Sequence, residues 1–102
     1  MKLVAVTACA AGVAHTFMAA EAIENAAKAR GHEIKVETQG ALGIENRITE
    51  EDMKGVAAAI LTKDIPIRER ERFQGVKIFN VTSTACITNG PKIIEAVEQQ
   101  CQ

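Results

Sequence analysis

The stretch Lys2-Leu3-Val4-Ala5-Val6-Thr7-Ala8-Cys9-Ala10-Ala11-Gly12-Val13-Ala14-His15-Thr16 decides the fold class of this chain. Residues 2 to 7 form a short apolar run with little polar alternation, which predicts a strand buried on both faces and therefore central in a sheet. The run gives way to small residues, a glycine and a histidine. From Thr16 to about Arg30 the chain is Ala-rich, with Phe17, Ala20, Ile23 and Ala27 on one stripe and Gly31 where a left-handed C-cap belongs. Strand, loop and helix follow one another without a break.

Working outward, His32 to Thr38 alternates Ile34 and Val36 with Lys35 and Glu37, the pattern of a half-exposed strand near a sheet edge. Gly40 and Gly43 mark a loop, and Thr49-Glu50-Glu51-Asp52 resembles a capping box opening a short helix that ends near Gly55. Val56 to Thr62 is another apolar strand candidate. Asp64 to Phe73 carries Pro66 and the run Arg68-Glu69-Arg70-Glu71-Arg72, whose i,i+3 pairs suit a solvated helical turn closed by Gly75. Val76 to Val81 reads as a fourth strand and Thr82 to Asn89 as a hydroxyl-rich loop. Pro91 then suits the first position of a terminal helix running to about Gln100. Strands beginning near 3, 33, 56 and 76, separated by helical or charged segments, imply successive right-handed crossovers and a parallel sheet covered on both faces. The fold class is α/β.

Composition bounds the function. The 102 residues, 47% hydrophobic and 25% charged, fit one globular domain, and no repeat or low-complexity tract suggests a second. Aromatic content is only 3%, three Phe with no Trp or Tyr, so Ala, Val, Ile and Leu must fill the interior, and the composition argues against a base-stacking platform. Twelve basic against thirteen acidic side chains give a net charge of -1, without the basic footprint of a nucleic-acid binder. The three cysteines, at 9, 86 and 101, show neither CxxC nor Cys/His finger spacing, which argues against a disulfide framework or structural zinc and for a reducing cytoplasm. The N-terminal run up to Cys9 mimics a short lipoprotein signal, but it fails on length: a signal needs about 7 to 15 apolar residues, and the stretch here is interrupted by Thr7, Gly12 and His15. No segment approaches the ~20 apolar residues needed to span a bilayer.

In open α/β sheets ligands bind beyond the carboxyl ends of the strands, which directs attention to the loop from Cys9 to Thr16. Small residues from 10 to 14 leave the backbone accessible, Gly12 can take positive φ, and the following helix turns its first N–H groups and positive dipole end into the loop. Such an anion cradle favours a thiolate at its mouth and would equally hold a phosphoryl group on the sulfur. His15 and Thr16 add side-chain donors. The alternative is that Cys9 is a small buried hydrophobe in a tight Ala-rich turn; the coincidence of spacing, glycine and helix entry weighs toward function. Cys86 and Cys101 lack that setting and read as packing or incidental exposure.

Cys9, five residues and then His15-Thr16 parallels the C-x5-R-[ST] loop of cysteine phosphatases, except that the arginine is missing. Histidine supplies neither the bidentate fork nor the permanent charge that holds the transferring phosphoryl group, so hydrolysis is the weaker reading. A loop that accepts phosphate and passes it on fits better. A nonenzymatic binding module with an inert Cys9 is a third reading.

The chain resembles the IIB component of the bacterial phosphoenolpyruvate-dependent sugar phosphotransferase system, in the fructose-type branch of its fructose and mannitol superfamily. The resemblance rests on Val6-Thr7-Ala8-Cys9, on Gly12-Val13-Ala14-His15-Thr16-Phe17-Met18-Ala19-Ala20-Glu21, and on Val36-Glu37-Thr38-Gln39-Gly40 with Gly43-Ile44-Glu45-Asn46. Asp64 and Arg72-Phe73 support it more weakly. It implies that Cys9 accepts phosphate from a phosphohistidine on the IIA component and gives it to a fructose-like sugar arriving through the membrane IIC component. The phosphate-binding loop would be Ala10, Ala11, Gly12, Val13, Ala14, His15 and Thr16. Residues 1 to 102 would form one such domain, cytoplasmic, peripheral to the membrane through IIC and monomeric alone, with no membrane insertion, metal or cofactor. The family commonly has Pro-Thr after its cysteine where this chain has Ala10-Ala11. Either backbone N–H groups carry the phosphate by themselves, or transfer is slower or tuned to different partners. The expected fold is a three-layer α/β sandwich, a four-stranded parallel sheet in the order 2-1-3-4 with helices on both faces.

Overall fold

Lys2–Ala8 extends as β1 in the computed structural model, which describes residues 1–10, 12–41 and 43–101. Leu3 to Ala8 are all buried, and β1 pairs in parallel with β2 (Glu33–Gly40) on one side and β4 (Ala58–Thr62) on the other. In register, Val6 stands between Glu37 and Leu61. The remaining elements are α1 (Val13–Ala29), β3 (Gly43–Glu45), a 3-10 helix (Arg70–Phe73), β5 (Lys77–Val81) and α2 (Ser83–Cys101). The sheet order is β3-β2-β1-β4-β5.

The run in β1 is apolar throughout because each face meets its own core. Leu3 and Ala5 join Ala19, Ile23, Ala27, Ile94 and Val97 beneath α1 and α2, while Val4, Val6 and Ala8 join Ile48, Ile67 and Phe73 on the opposite face. Alanine on α1 lets the helices approach closely. A Cβ at Gly90 in α2 would stand 3.3 Å from the Ala22 carbonyl oxygen and 3.4 Å from the Ala26 Cβ, so only glycine sits there without displacement.

Three expectations need correction. The sheet is five-stranded and mixed, not four-stranded and all-parallel: β3 runs antiparallel to β2, pairing Thr38 with Glu45 and Gly40 with Gly43. Gly43 at φ 92 permits the return, and β3 covers the β2 edge that would otherwise expose unpaired backbone groups. Within it the four parallel strands run β2-β1-β4-β5, so the expected succession gains an outer strand. Second, helices do not flank both faces. Both α-helices lie on one face, and the other is covered by the connections 46–57 and 63–76, in which the one regular element is the four-residue 3-10 helix. The capping box forms, with Thr49 N–H donating to Asp52 Oδ2 at 2.9 Å and Asp52 N–H to Thr49 Oγ1 at 3.2 Å. It closes only turns before Gly55, whose φ is 77. Third, β2 lies near the sheet edge, one strand in, but is not half-exposed along its length: Glu37, Thr38 and Gln39 are buried.

Both helices also start earlier than the sequence suggests. The hydroxyl-rich stretch after β5 is helical because Thr82 Oγ1 accepts the Ala85 N–H at 3.0 Å, an N-cap. The helical path breaks at Asn89 (φ -133) and resumes at Pro91, where a helix start was expected. No helix among the described residues is long and apolar enough to cross a membrane.

Candidate functional site

The carboxyl end of β1 is clamped before it releases Cys9. Thr62 Oγ1 accepts the Ala8 N–H at 2.9 Å and donates to the Ala8 carbonyl at 3.1 Å, while Thr7 Oγ1 donates to the Thr16 carbonyl at 3.1 Å. β4 and the first turn of α1 are thereby fixed to the strand that carries the cysteine. Gly12, the residue before α1, takes φ 120 and ψ 176, a conformation that glycine alone adopts readily. The Thr16 N–H and hydroxyl both donate to the Gly12 carbonyl at 3.2 Å, closing the first helical turn. The N–H groups of Val13, Ala14 and His15 precede that bond and have no acceptor within the helix, which leaves the positive end of α1 beside the loop.

Cys9 is half-buried, and its Sγ lies 3.0 Å from Nδ1 of His15. A second helix start arrives at the same place. Ser83 Oγ, fully buried at the beginning of α2, is 3.3 Å from Cys9 Sγ and 3.3 Å from His15 Nδ1. Ser83 is in turn held by Asp64, just beyond β4: its N–H donates to Oδ1 at 2.7 Å and its hydroxyl to Oδ2 at 2.8 Å.

On the other side of Cys9 a cavity of about 170 Å³ opens between the loop and the β2–β3 turn, with Cys9, Gly12, Thr16, Phe17, Gln39 and Gly43 in its wall. The segment at Gln39-Gly40, which reads equally as a plain turn or as part of the site, lines this cavity. Of the expected loop, Ala10, Gly12, Val13 and Thr16 converge on it with Cys9. His15 stands against the sulfur, Ala14 lies exposed on the helix flank, and Ala11 falls outside the described residues. Among the described residues no Lys or Arg lines the cavity, and no group of three or more His, Cys, Asp or Glu could hold a metal ion.

The cysteines are unequal. Cys86, on the inner face of α2, is buried, and burial together with the Asp64 charge pushes its thiol up to about 11, far from a nucleophile at neutral pH. None of the three forms a disulfide. Sequence reasoning missed Ser83 altogether. Its signal was present: Thr82-Ser83-Thr84 follows a strand at the same carboxyl edge that singled out Cys9.

Residues 4–96 match the family model described as the lactose/cellobiose-specific IIB subunit of the PTS. The chain belongs to the IIB family of sugar phosphotransferase systems. The IIB chain is 52% identical over 97 residues to the PTS system fructose-like EIIB component 2 of Escherichia coli strain K12, covering 95% of this chain and 92% of that protein. It is 42% identical over 98 residues to fructose-like EIIB component 1 of the same strain, covering 96% and 91%. Among solved structures, a domain of the fructose-specific IIABC component of Borrelia burgdorferi superposes with a TM-score of 0.89 at 47% identity, covering 96% of this chain and 93% of that one. Enzyme IIB from Escherichia coli K12 gives 0.90 at 41% identity, covering 97% and 92%. The IIB chain therefore lies on the fructose-like branch, as its motifs imply, and is a phosphoryl-carrying component of a phosphotransferase. The phosphatase reading, already short of its arginine, is not favoured.

Proposed function

We propose that Cys9 is the phosphoryl acceptor of this IIB chain, and that residues 1 to 102 make up one phosphocysteine domain relaying phosphate from IIA to a fructose-like sugar at IIC. The observation that carries the reading is the position of Cys9 Sγ, at the carboxyl end of β1, 3.0 Å from His15 Nδ1 and at the entrance to α1. In the first step the Cys9 thiolate attacks phosphorus, the S–P bond forms, the P–N bond to the IIA imidazole breaks, and the nitrogen keeps the electron pair. In the second a sugar hydroxyl attacks, the O–P bond forms, the P–S bond breaks, sulfur keeps its pair and the hydroxyl proton passes to a base.

Ala10, Ala11, Gly12, Val13, Ala14, His15 and Thr16 form the proposed cradle. The helix-entry N–H groups supply donors, Gly12 supplies the turn, and Thr16, committed to the Gly12 carbonyl, shapes it. Val13, Phe17 and Met18 stand exposed on the first turns of α1, an apolar rim suited to partners that must reach the sulfur. The setting is cytoplasmic, at the membrane only through IIC.

The test is to mix the chain with phosphorylated IIA and map the label. An acid-resistant, iodine-labile phosphate on Cys9 is expected; label on another residue, or none, overturns the proposal.

A further inference from the structure

We propose that Asp64 and Ser83 are positioning residues that fix His15 as an Nδ1–H donor to Cys9 Sγ, an inference that rests on Cys9 being the nucleophile. A serine hydroxyl has one proton to give and two lone pairs to offer. Ser83 Oγ has three neighbours in reach: Asp64 Oδ2 at 2.8 Å, Cys9 Sγ at 3.3 Å and His15 Nδ1 at 3.3 Å. The carboxylate is both the nearest and the strongest acceptor, so the proton goes there. Only lone pairs of Oγ then face the imidazole. An Nδ1 without hydrogen would oppose its own lone pair to those of Oγ, whereas an Nδ1–H satisfies Oγ and Sγ together.

The ring is thereby held in the form that gives a hydrogen to sulfur and cannot take one from it at that atom. Sγ is left as an acceptor, the state a nucleophile needs. The direction of each bond follows from the one before: carboxylate, hydroxyl, imidazole, sulfur. Among the described residues, titratable groups near the cluster include Cys86 on α2, whose burial keeps it neutral, and Glu45 on β3, in the cavity wall.

A purely structural alternative exists, because Asp64 also accepts the Ser83 N–H at 2.7 Å and so places a negative charge at the start of α2. That role predicts a loss of stability and nothing at His15. The variants separate the two. Ser83→Ala keeps the backbone N–H and removes only the hydroxyl, whereas Asp64→Asn keeps an acceptor for that N–H and offers Oγ an amide donor, releasing the hydroxyl proton toward Nδ1.

The measurement is long-range 15N correlation of the neutral imidazole rings, together with the pH profile of Cys9 alkylation by iodoacetamide. The chain has two histidines, and His32, beyond the opposite end of α1 with its Nε2 on Glu98, serves as the internal reference. The wild-type His15 ring is expected as Nδ1–H. Both variants should move it toward Nε2–H, and Ser83→Ala should slow alkylation at pH 7 by about two- to tenfold, the cost of one lost hydrogen bond, with the profile displaced to higher pH. A wild-type ring in the Nε2–H form, or variants with wild-type tautomer and profile, overturns the proposal. The wild-type spectrum decides even where a variant fails to fold. Failure of the underlying reading would look different: no phosphate on Cys9 of the wild-type chain, whatever the ring does.

Discussion

Glu37, fully buried in β2, accepts hydrogen bonds from both terminal nitrogens of the Arg72 guanidinium, at 2.7 and 2.9 Å. The Ile48 N–H adds a third at 2.8 Å and the Gln39 amide a fourth at 2.7 Å, so strand, connection and 3-10 helix meet on one carboxylate. Burial alone would push the Glu37 carboxyl up, but the bonds from Arg72, Gln39 and Ile48 outweigh it and hold it below the usual range. Arg72→Ala strands this charge and should cost about 3–5 kcal/mol of stability. Urea unfolding checks it; a loss under about 1 kcal/mol, the worth of an exposed pair, would contradict the assignment.

Acid should unfold the chain through identifiable carboxylates. The Lys35 ammonium and the Thr49 N–H hold Asp52 at about 2, and Arg30 with His32 holds Glu98 at about 2. Each folded value lies below the ordinary 3.8 or 4.5, so the stability these groups contribute is complete above the ordinary value and is lost as pH falls toward about 2. Denaturation midpoints should decline as pH falls from about 4.5 toward about 2. Glu98→Gln should flatten part of that decline, and an unchanged slope would remove Glu98 from the account.

Gly12→Ala tests the loop without crowding it. Nothing lies within 4 Å of a Cβ at this position, so the penalty is conformational, about 1–3 kcal/mol for a side chain at φ 120. The expected outcome is a folded domain with a strongly slowed rate of phosphate acceptance, seen by circular dichroism beside single-turnover transfer. Wild-type transfer would show that the cradle tolerates another path.

Thiol labelling should sort the cysteines. In the native chain at pH 8, iodoacetamide followed by peptide mapping should modify Cys9 and leave Cys86 untouched until denaturant is added, because Cys86 is buried and remains protonated. Cys86→Ala should retain phosphate acceptance, whereas Cys9→Ser should lose it.

The central strand and the site loop were legible because their chemistry is local: an apolar run has to be buried on both faces, and a cysteine, a glycine and a helix entry stand within a few residues. Glu37 was not, since alternation assigns it to solvent and its partner lies 35 positions away. β3 escaped notice because three residues beginning with glycine carry no strand pattern. The start of α2 was hidden because threonine and serine favour loops and caps alike, and only the Thr82 bond to Ala85 shows which. Ser83 joins Cys9 through a contact 74 positions long, which parallel crossovers create and spacing does not reveal.

Two helices begin beside Cys9, and among the described residues no lysine or arginine lines the neighbouring cavity. On the proposed reading, a phosphoryl group on Cys9 would be held by oriented backbone dipoles and not by a fixed cation, with the Glu45 carboxylate in the same wall. A grip of that kind is shallow. For the proposed relay this would be an asset, because a way-station that bound its cargo too well would become its terminus.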